Sequence, residues 1–131
     1  MKFKYDEVLD LWVSHTDLLG QPIKVRLYCS DDADFPTLAA KVMNDVKSKW
    51  ESLKTAIVAE LFPQYREQVS QEQELTADAF FSRLALQTID FDSVDIMYTL
   101  FWSDSGLFGG HSIQVLWDPE ERFHADVSLV G

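Results

Sequence analysis

A single cysteine, Cys29, leaves no partner for an intramolecular disulfide, which excludes the stapled scaffolds that small secreted domains use. Glycine and proline are scarce, at five and four residues, so the chain is neither a low-complexity linker nor a loop-dominated fold. No apolar run nears the roughly eighteen residues that a spanning helix needs. The longest candidates are Ile96 to Trp102 and the interrupted run Ala56 to Phe62. The opening residues, Met1 to Glu7, reach acid before any apolar stretch, unlike a secretory leader. These absences predict a reducing cytoplasm and no membrane partner.

Positive charge is the other shortage: 11 Lys and Arg face 22 Asp and Glu, for a net charge of −11. Residues 63–131 carry only Arg66, Arg83 and Arg122 against twelve acids, so 3 − 12 = −9 of that charge lies in the second half. Such a surface repels a polyanion and makes nucleic acid an unexpected partner, whereas a basic protein is attracted. Acidity also serves plain solubility, which explains it without any partner.

Apolar residues are plentiful, at 47% hydrophobic and 13% aromatic over 131 residues. That is enough for one core and short for two, so a single domain, 1–131, is predicted. From Pro36 to Phe62, Ala39, Met43, Val46, Trp50, Leu53, Ile57 and Leu61 recur every three or four residues, the stripe of one long amphipathic helix. Asp34 is placed to cap its first turn, and Pro63 is read as its stop. A second, short helix is predicted at about 77–85, with Thr76 as its N-cap and an apolar face built on Phe80, Phe81 and Leu84. Residues 64–74 are left open between helix and loop.

Strand periodicity flanks the helices. Alternation over 9–16 and 23–29 predicts a hairpin turning at Leu18 to Pro22, and residues 1–8 read as an edge. Four more strands follow, at 86–91, 95–102, 111–117 and 122–130, separated by Asp, Ser, Gly and Pro turns short enough for an antiparallel meander. The expected fold is α+β: an antiparallel sheet of about six strands, in the order ββααββββ, with one long and one short helix on one face. The other face, carrying Lys24, Arg26, His124 and Asp126, is expected to meet solvent or a ligand.

Chemical signals are few. His111 follows Gly109-Gly110, and free backbone amides beside an imidazole can stabilise an anion, the minimum for a small enzyme or ligand site centred there, with His15 or His124 and an aspartate as helpers. Turn glycines at positive φ explain the same residues. His15, His111, His124 and Cys29 follow no zinc spacing, and Asp90, Asp92 and Asp95 lack the glycine and glutamate of a calcium loop, so no metal or other cofactor is expected. Tyr98 and Trp102 share one strand face and Phe101 the other. Exposed, they would bind a partner or a second copy; under helices they are core, the reading favoured for most of them. His111, Trp102, Tyr98, Asp104 and Asp126 form the candidate binding set.

The segment Gly106-Leu107-Phe108-Gly109-Gly110-His111-Ser112-Ile113-Gln114-Val115, with the closing Ala125, Leu129 and Gly131, resembles domain of unknown function 2262, a family of bacterial domains. Trp50 in a long helix, Thr76 with Phe80 and Phe81, and Leu86 with Ile89 extend the likeness over the last two-thirds of the chain. It implies a bacterial, stand-alone domain and brings no catalytic residue. The expected function is a non-enzymatic, immunity- or adaptor-like protein that binds a basic partner; the alternatives are the site at His111 and a structural homodimer.

Overall fold

A computed structural model describes residues 1–131. Its frame is a seven-stranded sheet whose spatial order follows the chain: β1 (Lys4–Asp6), β2 (Leu11–Leu18), β3 (Gln21–Tyr28), β4 (Ala85–Asp92), β5 (Met97–Ser103), β6 (Ser112–Trp117) and β7 (Ala125–Val130). All neighbours are antiparallel except β3 and β4, which run parallel, Lys24 opposite Thr88 and Tyr28 opposite Asp92. Between them lie three helices, α1 (Phe35–Ser48), α2 (Trp50–Gln68) and α3 (Ala77–Arg83). The α+β class is as expected, but the sheet has seven strands rather than about six and is mixed. A parallel neighbour needs a crossover that returns the chain to its starting edge, and the helical segment supplies it.

The hairpin of β2 and β3 extends to a two-residue turn, Leu19-Gly20, with φ of 51° and 83°. Two positive φ values match the right-handed twist of the strands, which is why the pairing begins tightly at Leu18 and Gln21. Alternation then sorts the side chains. Val25, Leu27, Ile89, Phe91, Leu100, Ile113 and Val115 bury under the helices, against Val42 and Val46 of α1, Leu53, Ile57 and Leu61 of α2, and Phe80 and Phe81 of α3. Each such side chain contributes about 1.5–3 kcal/mol by leaving water. On the opposite face Lys24 and Asp126 are exposed, and Arg26 makes a two-pronged ion pair with Asp90 at 2.6 and 2.5 Å.

The single long helix predicted over 36–62 is broken at Lys49, where ψ is 10°. Ser48 Oγ donates to the Asp45 carbonyl at 3.0 Å, the same oxygen that the Lys49 N–H uses at 3.1 Å, and such back-bonding bends helices. Five of the seven stripe residues are buried; Met43 and Trp50 are half-buried, and Val42 and Tyr65 complete the core-facing row. Pro63 does not stop α2, which continues to Gln68. The Gln64 side-chain amide donates to the Glu60 carbonyl at 3.1 Å, and Tyr65 anchors the extra turn by packing on Phe62 and Phe80. The Tyr65 hydroxyl accepts from the Leu75 N–H at 3.2 Å and donates to the Gln73 carbonyl at 3.4 Å, so the stretch left open by the sequence is helix to Gln68 and then a 3₁₀ turn at Gln71–Gln73.

Candidate functional site

Strand directions place the connections at two ends of the sheet. The loops after β1, after β3, after β4 and after β6 all lie at one end, because β1, β3, β4 and β6 run the same way. Along that rim stand Asp6, Glu7 and Asp10, then Asp31, Asp32 and Asp34, then Asp92 and Asp95, then Asp118, Glu120 and Glu121: eleven of the 22 acids, with Arg122 the one Lys or Arg among them. Six strand spacings of about 4.8 Å spread the rim over roughly 29 Å.

Several of these carboxylates shape their own loops. Asp6 accepts from the Val8 and Leu9 amides, Asp92 from Val94 and Asp95, and Asp118 from Glu120, all within 3.1 Å. Asp34 caps α1 as predicted, and its bonds from the Thr37 hydroxyl and amide hold its pKa below the usual carboxylate range. Glu7, Asp31, Asp95, Glu120 and Glu121 are left for solvent or a partner. Exposed apolar side chains share the rim: Tyr5, Val8 at 92% exposure, Leu9, Tyr28 and Val94 at 81%.

At the opposite end, the loop 104–111 is organised around Asp104, which is 1% exposed. One carboxylate oxygen accepts from the Gly106 amide at 2.8 Å; the other accepts from Phe108, Gly110 and His111 at 3.0, 3.1 and 3.0 Å. Gly106, Gly109 and Gly110, with φ of 85°, 84° and 91°, let the chain curl around the acid. Burial pushes the Asp104 pKa up, but the bonds from Gly106, His111, Phe108 and Gly110 outweigh it and leave it below the ordinary value. The amides that made His111 a candidate anion site are therefore occupied by the protein's own carboxylate.

The family model described as an uncharacterized protein conserved in bacteria, DUF2262, matches residues 1–126. The chain belongs to this family. The DUF2262 match takes in β1 to β3 as well as the last two-thirds, and it stops before the Leu129 and Gly131 that the resemblance used. No curated protein and no solved structure matches the chain.

The remaining candidates in this DUF2262 domain are dispersed. His111 is exposed, and its Nδ1–H donates to the Gly131 carbonyl at 2.7 Å. His124 lies at the acidic end, 3.0 Å from exposed Asp126, and His15 is four strands from β6, about 19 Å away. Cys29 follows β3 at the acidic end, so the three histidines and the cysteine do not share a point. Tyr98 and Trp102, offered as binding residues, are 0% and 1% exposed and belong to the core. Tyr98 Oη donates to Asp45 of α1 at 2.7 Å, and burial together with that bond drives its pKa far up. Trp102 packs on Trp50 at 5.9 Å. Half-count charge arithmetic missed the rim, because its acids come from both halves; strand directions in the meander place the loops after β4 and β6 together, but joining those after β1 and β3 to them takes the parallel β3–β4 pairing. No helix is long and apolar enough to cross a membrane.

Proposed function

We propose that this DUF2262 member is a non-enzymatic protein-binding domain, immunity- or adaptor-like, whose acidic rim engages a basic partner. The observation that carries the reading is the gathering of eleven carboxylates with five exposed apolar side chains at one end of the sheet. Charge of one sign speeds and orients encounter with an oppositely charged surface, and apolar groups among the charges supply area to bury once it docks. Nothing comparable surrounds His111, whose neighbouring amides are spent on Asp104, and of the aromatics that suggested a homodimer Tyr98 and Trp102 are interior while Phe101 is half-buried on the other face.

The test neutralises acids that have no loop-forming duty: Glu7, Glu120 and Glu121 to Gln, Asp31 and Asp95 to Asn. Proteins captured from a bacterial lysate by the wild-type chain at low salt are compared with those captured by this fivefold variant, and each is then measured with purified components. A basic partner whose affinity falls steeply with salt and at least about tenfold in the variant supports the reading. A partner that binds both forms equally, or that is itself acidic, overturns it.

A further inference from the structure

The rim is not uniform. At its β1 edge lies a cavity of about 510 Å³ lined by Tyr5, Asp10, Trp12, Cys29, Ser30 and Asp31, within the size range of small-ligand sites. Tyr5 and Trp12 are register partners on adjacent strands, so both rings stand on the helix side of the sheet, where they meet at 5.4 Å with their planes 62° apart and form an aromatic corner. Trp12 is backed by Phe35 at the start of α1, with ring centres 4.8 Å apart, which holds the indole in place. The Tyr5 hydroxyl donates to Asp10, and this bond is the first cause that keeps the phenol above its usual pKa and protonated. Burial likewise raises the Cys29 thiol, so that wall is neutral. The charge in the lining is therefore two carboxylates, Asp10 and Asp31, with no Lys or Arg among the six residues.

Two π faces at an angle, with carboxylates beside them, match one chemical class. A cation is drawn to the ring faces by their quadrupole, and its N–H donors find the carboxylate oxygens. We propose that this cavity receives the cationic side chain, arginine or lysine, of the partner protein. The proposal deepens the reading of the rim and rests on it. The corner would set where along the roughly 29 Å rim a basic surface docks.

The test follows the backbone amide and indole N–H signals of the full chain by ¹⁵N NMR during titration with N-acetyl-arginine amide, N-acetyl-lysine amide and the neutral isostere N-acetyl-citrulline amide. The expected result is a saturating shift of the Trp12 signal with both cationic probes and a response at least about tenfold weaker with citrulline. The double variant Asp10→Asn with Asp31→Asn is expected to lose the response while the Trp50, Trp102 and Trp117 signals stay in place, because Asn tolerates the positive φ of 55° at Asp10 and still accepts from Tyr5. Equal responses to arginine and citrulline overturn the proposal. So do shifts confined to the turns 93–96 and 118–124, which would leave the rim as a basic surface's target without this pocket. Conversely, a partner that ignores neutralisation of Glu7, Asp95, Glu120 and Glu121 but loses affinity for the Asp10 and Asp31 double variant would sink the rim reading and keep the pocket.

Discussion

Replacing Asp104 by Asn tests whether one buried carboxylate builds the 104–111 loop. The substitution is isosteric, so packing is unchanged and only acceptor number and charge differ. If the remaining oxygen faces Phe108, Gly110 and His111, the new amide donor points at the Gly106 N–H, leaving one donor unmet and three bonds without their charge. A charge-assisted bond contributes about 1.5–3 kcal/mol against about 0.5–1.5 for a neutral one, and an unmet donor costs about 1–3 kcal/mol; losing the buried charge also removes its desolvation cost, which offsets part of this, so a net loss of about 3 kcal/mol is expected for Asn and about 4 kcal/mol for Ala. Urea unfolding at pH 7, with a slope of about 1.5 kcal/mol per molar, should show the Asn midpoint about 2 M lower. The acid's folded pKa is depressed below its ordinary 3.8, so its contribution is complete above 3.8 and is lost as pH falls through the folded value. The gap between wild type and variant should therefore narrow at pH 3. A gap below about 0.5 kcal/mol at pH 7, or one that is unchanged at pH 3, would refute the assignment of the loop to this carboxylate.

Three further outcomes are expected. Tyr98→Phe removes the bond between sheet and α1 while Asp45 keeps its ion pair with Lys41 at 2.8 Å, and chemical denaturation should show a loss of about 1 kcal/mol. Ser14 is 3% exposed and its hydroxyl has no hydrogen-bond partner, so Ser14→Ala should raise the melting temperature by a few degrees, on the order of 1 kcal/mol; a drop of that size would point to an unseen acceptor. His111→Ala removes an exposed ring with one bond, to Gly131, and should change stability by less than about 1 kcal/mol by thermal melt, with a larger loss indicating that the ring helps hold the loop closed.

Period and turn chemistry made the elements legible: the Leu19-Gly20 turn, the four-strand meander and the Thr76 cap, whose hydroxyl accepts from the Ala79 amide, all follow from local residues. Long-range pairing did not. Nothing near Lys24 announces that it lies parallel to Thr88, since a sequence with helices in its middle is equally consistent with an all-antiparallel sheet. The break at Lys49 was hidden because the stripe keeps its spacing through Trp50, and Pro63 misled because the packing of Tyr65 overrode a propensity. At the candidate sites, Asp104 and His111 both stood in the binding set, but nothing in the local residues says that the acid consumes the amides around the histidine. Tyr5 and Asp10 gave no signal, because an edge strand of three residues and the turn after it carry too little periodicity to assign faces, and Trp12 lies at the start of the next strand with nothing local to pair it with Tyr5.

The one parallel seam has a kinetic consequence. Arg26 and Asp90 are 64 positions apart, so joining β3 to β4 closes a loop whose length-dependent entropy alone is about 3.7 kcal/mol, whereas hairpin and meander contacts are local. The N-terminal ribbon and the meander can each form early, but until the helices bridge them β4 shows Leu86, Ile89 and Phe91 along a bare margin suited to pairing with other chains. Refolding yield should fall with rising protein concentration most steeply in variants that loosen the helical bridge, placing this domain's main aggregation hazard at its centre rather than at its outer strands.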